Sequence, residues 1–290
     1  MKKYSAKNYR AWMLMLLIVA AMLGSSAISP MYSEASKVAA ETTEADRQEA
    51  APGGSLQSSA SREPAPDQYL GRLSLKVARR GHASVALSDG RVAIIGGQNE
   101  TGPVSEVEVV NAQSQSIEVV ANLKVARSRP TATLLSDGKV LIAGGWDRKK
   151  LFATTEVFNP QTNLISRGPK LRRPRAAHTA TVLRDGRILI TGGTPDGSAE
   201  LFDPATNRTT LLGSKLTAAR SFHAASLLGD GNVLLVGGVD QDGRSLRSAE
   251  IFDVGARTFF PTSAPMRIKR VRATLHPLPN GKVQVIGGDS

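Results

Sequence analysis

The stretch Leu183-Arg184-Asp185-Gly186-Arg187-Ile188-Leu189-Ile190-Thr191-Gly192-Gly193 is one of five copies of a single pattern in this 290-residue chain. Its Gly-Gly pair returns as Gly96-Gly97, Gly144-Gly145, Gly237-Gly238 and Gly287-Gly288, so that the five lie 48, 48, 45 and 50 residues apart. Seven residues before each pair stands a turn dipeptide: Asp89-Gly90, Asp137-Gly138, Asp185-Gly186, Asp230-Gly231 and Asn280-Gly281. Asp-Gly or Asn-Gly between apolar alternations is the signal of a two-residue type I′ hairpin, which needs positive φ at both central positions. The flanks read as strands: Ala83–Leu87 with Val92–Ile95, Ala132–Leu135 with Val140–Ile142, and Thr179–Leu183 with Ile188–Ile190. A third strand follows in Glu108–Asn111, Glu156–Pro160, Glu200–Pro204 and Glu250–Asp253, each an acid, two apolar residues and a turn residue. Proline or a turn residue stops that strand, and a fourth begins after it.

Four strands in about 48 residues, repeated in register, predict an all-β array of propeller blades. No Trp-Asp signature is present, and the Gly-Gly closing the second strand resembles the kelch repeat. In the form Leu-x-Asp-Gly-(Arg/Lys), seen at Leu135–Gly145 and Leu183–Gly193, the units are most similar to the galactose-oxidase-like branch, as found in secreted bacterial proteins. The resemblance covers residues 71–290 and implies a kelch-type β-propeller of four full four-stranded blades plus an incomplete fifth. The family's tryptophan in the fourth strand is replaced by Ile165, Thr209 and Phe259, which implies weaker packing between blades. The fifth unit reaches only its Gly-Gly, while Tyr69–Val77 aligns with the fourth strands, so the expectation is a truncated propeller rather than a five-bladed ring.

Upstream, Lys2, Lys3, Lys7 and Arg10 precede an apolar run from Ala11 to Leu23, too short for the roughly 20 residues of a spanning helix. Gly24, Ser25, Ser26 and Ala27 follow, and residues 1–27 read as a signal peptide cleaved after Ala27; a retained anchor is the alternative. Residues 28–70, rich in Ala, Ser, Glu, Gln and Pro without apolar periodicity, read as a disordered linker. The expected destination is secreted, periplasmic or cell-surface, with no integral membrane segment after cleavage. The absence of cysteine excludes disulfides, thiol nucleophiles and cysteine-ligated metals. The leader's four cations and the linker's excess of acids cancel, leaving the formal net charge of +12 on residues 71–290.

An arginine stands ten residues before each turn acid or amide: Arg79, Arg127, Arg175, Arg220 and Arg270. Such a ring could present guanidiniums to carboxylate or phosphate groups, or each could bond the neighbouring blade's backbone or a repeat glutamate such as Glu156. His82, His178 and His223 share another slot, filled by Pro130 and Ala273 in the other units. Slots related by rotation need not converge at metal-ligand distance, so these rings read as structural and no metal site is expected. His276 falls outside the slot. The variable loops Gln98–Val104, Trp146–Phe152, Thr194–Gly197 and Val239–Leu246 are where specificity is expected. Trp146 and Arg148, in the run Trp146-Asp147-Arg148-Lys149-Lys150, join the candidate ligand contacts.

No catalytic order or phosphate loop stands out, and no cofactor is implied. The tyrosine-cysteine copper site of galactose oxidase has no counterpart, because the chain has no cysteine and no tyrosine after Tyr69. Basic charge spread over repeat positions without stacking aromatics argues against nucleic acid. The expectation is a non-catalytic binding or scaffolding module for a protein or anionic glycan. A sugar oxidase-like or isomerase-like kelch enzyme, or a fragment of a larger secreted protein, are the alternatives.

Overall fold

The computed structural model describes residues 73–289. The signal peptide, the linker and the start of the Tyr69–Val77 segment lie outside the described residues; 73–77, its remainder, form no strand.

Eighteen strands follow one another among the described residues. The first blade holds β1 (Ala83–Ala86), β2 (Val92–Ile95), β3 (Glu106–Asn111) and β4 (Ser116–Asn122). The second holds β5 (Thr131–Leu134), β6 (Val140–Ala143), β7 (Thr155–Asn159) and β8 (Leu164–Arg167). The third holds β9 (Thr179–Val182), β10 (Ile188–Thr191), β11 (Ser198–Asp203) and β12 (Arg208–Lys215). The fourth holds β13 (Ala224–Leu227), β14 (Val233–Val236), β15 (Ala249–Asp253) and β16 (Thr258–Pro261). A fifth unit contributes β17 (Thr274–Pro277) and β18 (Val283–Ile286). Each four-stranded sheet is an antiparallel meander in chain order, and the first strands β1, β5, β9, β13 and β17 lie side by side in succession. The four blades and partial fifth stand as the repeat predicted.

The hairpin turn differs from expectation. Leu183 and Arg187 pair through Leu183 N–H to Arg187 O at 2.8 Å, while Gly186 N–H reaches Leu183 O at 3.0 Å. Gly186 has φ +83° and Asp185 is not in the left-handed region. This is a three-residue loop closed by a glycine bulge, not a two-residue type I′ turn. The turn side chain still closes the loop: Asp185 Oδ1 accepts the Arg187 N–H at 3.0 Å, as Asn280 Oδ1 accepts that of Lys282 at 3.1 Å.

Apolar side chains on both faces of each sheet pack against the neighbouring blades, which is why β2, β6 and β10 are buried at every position. Leu87, Ala93, Ile95 and Val107 of the first blade meet Val140, Ile142 and Phe158 of the second. Leu141 and Ala143 then meet Ile188, Ile190 and Phe202. Leu189 and Leu201 meet Val233, Leu235 and Phe252 in turn. The core is thus a series of inter-blade layers, as repeat architectures require. The residues in the missing-tryptophan slot find individual solutions. Ile165 packs at the edge of the first layer, Thr209 gives its hydroxyl to Lys170 O at 2.7 Å, and Phe259 lies on Phe252 with ring centroids 4.8 Å apart.

Candidate functional site

The repeat arginines point inward. Arg175 donates from Nη1 to the carbonyls of Gly192 (2.7 Å) and Ser198 (3.1 Å), and from Nη2 to Glu200 (2.8 Å), with both side chains fully buried. Arg79, Arg127 and Arg220 repeat this with Glu108, Glu156 and Glu250 at 2.5, 2.6 and 2.5 Å. The glutamate also accepts two backbone N–H groups of the incoming connector: Lys76 and Val77, Lys124 and Val125, Arg172 and Arg173, Thr217 and Ala218. Each pair is a clamp fastening a connector to its blade. The expectation of an arginine-lined ligand face is therefore corrected for Arg79, Arg127, Arg175 and Arg220: a buried cation needs an internal partner, and the repeat glutamate supplies it. Arg270 makes only the carbonyl contact, to Gly287, and stays part-exposed.

The repeat histidines also join blades. His178 Nε2 lies 2.9 Å from Thr131 Oγ1, and His223 Nε2 lies 2.9 Å from Thr179 Oγ1, each threonine belonging to the preceding blade. Burial, with Arg220 beside it, lowers His223 to about 3, and burial lowers His178 well below its ordinary value. The unfolded chain therefore takes up these protons first as pH falls below about 6.5, and stability is lost as pH drops from there, down towards pH 3 for His223 and with the same sign for His178. Urea midpoints at pH 7 and pH 5 should show this loss, and His223→Gln should flatten it. An unchanged slope in His223→Gln would refute the assignment.

What the loop face does expose arises in a slot that no repeated residue type marks. Two residues beyond each repeat arginine stand Gly81, Arg129, Ala177, Phe222 and Arg272, all with φ between 53° and 64°. Their backbones form a chain around the inner rim: Arg129 N–H to Gly81 O (2.7 Å), Ala177 to Arg129 (3.1 Å), Phe222 to Ala177 (2.8 Å) and Arg272 to Phe222 (2.8 Å). A left-handed phenylalanine is strained, and this hydrogen-bonded rim holds it there. The side chains then meet across blades. The Arg129 and Arg272 guanidiniums lie 4.6 and 4.7 Å from the Phe222 ring centre, and Arg129 lies 5.4 Å from Trp146.

Burial, then Arg272, then Arg80 pull Arg129 below its ordinary range. Among the described residues neither Arg80 nor Arg129 has an acidic partner, while Arg272 holds Asp289 at 3.0 Å. Beside this cluster opens a pocket of about 320 Å³ lined by Arg129, Trp146, Leu151, Pro195, Phe222 and Asp240. Trp146 thus belongs to the cluster. Arg148 instead spans blades, donating to the carbonyls of Asn99 (3.1 Å) and Glu100 (3.2 Å). Trp146 and the loop residues Leu151, Pro195 and Asp240 lie in segments singled out from the sequence, whereas Arg80, Arg129, Phe222 and Arg272 were missed.

Comparison with protein families matches residues 127–171, the second blade with its arginine clamp, to the Kelch motif. Comparison with curated proteins gives no match.

Proposed function

Because this chain is a kelch-repeat β-propeller, we propose that it is a non-catalytic binding module working outside the cytoplasmic membrane, which grips a carboxylate of a protein or an acidic glycan at the inner rim of its loop face. What supports an extracytoplasmic location is the leader-like sequence of residues 1–27. The observation that carries the binding reading is the pair Arg129 and Arg272 over Phe222, with Arg129 also over Trp146 and the charge of Arg80 acting on Arg129, cations held close with one acid among them. A ligand carboxylate would relieve that repulsion and accept bidentate hydrogen bonds, while the aromatic faces hold the guanidinium planes in place.

Titration of the full-length chain with polyglutamate and with polygalacturonate separates the two ligand sources. Binding should weaken with salt, and Arg129→Ala with Arg272→Ala should weaken it at least ~10-fold, as expected for lost charge-assisted hydrogen bonds. No binding of either polymer by the folded protein, or equal binding by the double variant, would overturn the proposal.

A further inference from the structure

Topology divides the charge of the propeller between its two ends. In each antiparallel meander the turns between the first and second and between the third and fourth strands lie at one end, the turn face. The loop between the second and third strands and the connector to the next blade lie at the other, the loop face. On the turn face acids and bases balance among the described residues, seven of each, with Asp89 holding Arg91, Asp137 holding Lys139 and Asp185 holding Arg187. Inside, the four clamp arginines are cancelled by their four glutamates. The whole positive excess of residues 73–289 therefore stands on the loop face, eighteen bases against seven acids.

These cations are spread around the axis. Lys76, Lys124 and Arg172 occupy one slot on successive connectors, and all three are exposed. Their backbone N–H groups are held by the clamp glutamates Glu108, Glu156 and Glu200, so each side chain leaves its blade from a fixed point. Cations set out one per blade suit a broad anionic surface more than one compact ligand. Apolar side chains are interleaved with them. Val125 follows Lys124 and Leu151 follows Lys150, each 38% exposed. Ile268 stands in the Val125 slot, between Arg267 and Lys269. A soluble polyanion offers an exposed valine or leucine nothing apolar to bury against. The interface of a bilayer takes both kinds of group, apolar tips at the acyl boundary and cations at the phosphates.

We propose that the loop face seats on an anionic phospholipid bilayer, leaving the charge-balanced turn face towards solvent. The occupant is a bilayer because the cationic surface is broad and because its exposed apolar residues sit beside the cations. The seat uses the outer connectors and loops, whereas the carboxylate grip uses the inner rim, so either can fail without the other.

Flotation of the full-length chain with vesicles tests this, using phosphatidylcholine alone and phosphatidylcholine mixed with phosphatidylglycerol in equal parts. Binding to the mixed vesicles should be at least ~10-fold tighter and should weaken as salt rises. Lys124→Glu with Lys150→Glu should weaken it at least ~10-fold, whereas Lys139→Glu with Lys282→Glu, the same change of net charge on the turn face, should leave it within ~2-fold. Every variant keeps residues 1–27, so the difference between the two pairs reports the face and not the leader. Val125→Ser with Leu151→Ser should weaken vesicle binding at least ~5-fold and leave binding of soluble polyphosphate unchanged. Urea midpoints matching the parent chain establish that the variants fold. Equal losses from the two charge pairs, vesicle binding indifferent to either loop-face pair, or binding of polyphosphate without binding of vesicles would overturn the proposal.

Discussion

Glu200→Ala is expected to lower the stability of the propeller by about 3–5 kcal/mol, read as a shift of the urea midpoint. Glu200 accepts from Arg175 Nη2 at 2.8 Å and from the backbone of Arg172 and Arg173 at 2.6 and 2.9 Å, and neither charged side chain of the pair reaches solvent. Removing it strands a buried guanidinium and two backbone donors at once. Glu200→Gln keeps oxygen as an acceptor and should lose less. Arg187→Ala breaks the pair with Asp185, whose side chains are 26% and 46% exposed, and should cost under about 1 kcal/mol because water screens it. A Glu200→Ala protein as stable as the Arg187→Ala protein would show that the clamp does not hold the connector.

Comparable in size is the expected effect of Gly192→Ala, on the order of 4 kcal/mol. Gly192 has φ +69°, and its Cβ would be driven into the carbonyl of Arg220 and the ring of His223. Both belong to the next blade, so the methyl must push apart the junction that Gly193 N–H and Arg220 O close at 2.9 Å. Gly186, in the hairpin turn, has φ +83° and nothing within 4 Å of the same added atom. Gly186→Ala should therefore cost only the left-handed backbone, about 1–2 kcal/mol. Equal losses at the two positions, measured by urea unfolding, would mean that backbone conformation, not blade approach, accounts for the first glycine of the pair.

That contrast separates two kinds of sequence signal. The turn glycine was legible because local geometry demands it, although the three-residue loop was not: two-residue and three-residue hairpins share the Asp-Gly dipeptide, and only the strand register distinguishes them. The Gly-Gly pair was legible as a repeat mark, but its physical cause, a carbonyl from about 30 residues downstream, comes from another blade. The arginine slot is visible in the sequence, which allows either an exposed ligand contact or a repeat glutamate as its partner. The choice between them rested on side-chain direction, which a repeated residue type does not reveal.

Strand number, blade boundaries and the incomplete fifth unit were determined by the amino-acid sequence itself, since a 48-residue period with fixed turn spacing and apolar alternation admits one local solution in every copy. The rim cluster was decided by the tertiary structure alone. Arg129, Phe222 and Arg272 occupy one slot with different residue types in it, so no repetition announces them. Their separations of 93 and 50 residues become contacts of under 5 Å only when successive blades turn the slot about a common axis. Local pattern specifies a blade, but which side chains meet at the centre depends on the rotation between blades, a property of their packed interfaces.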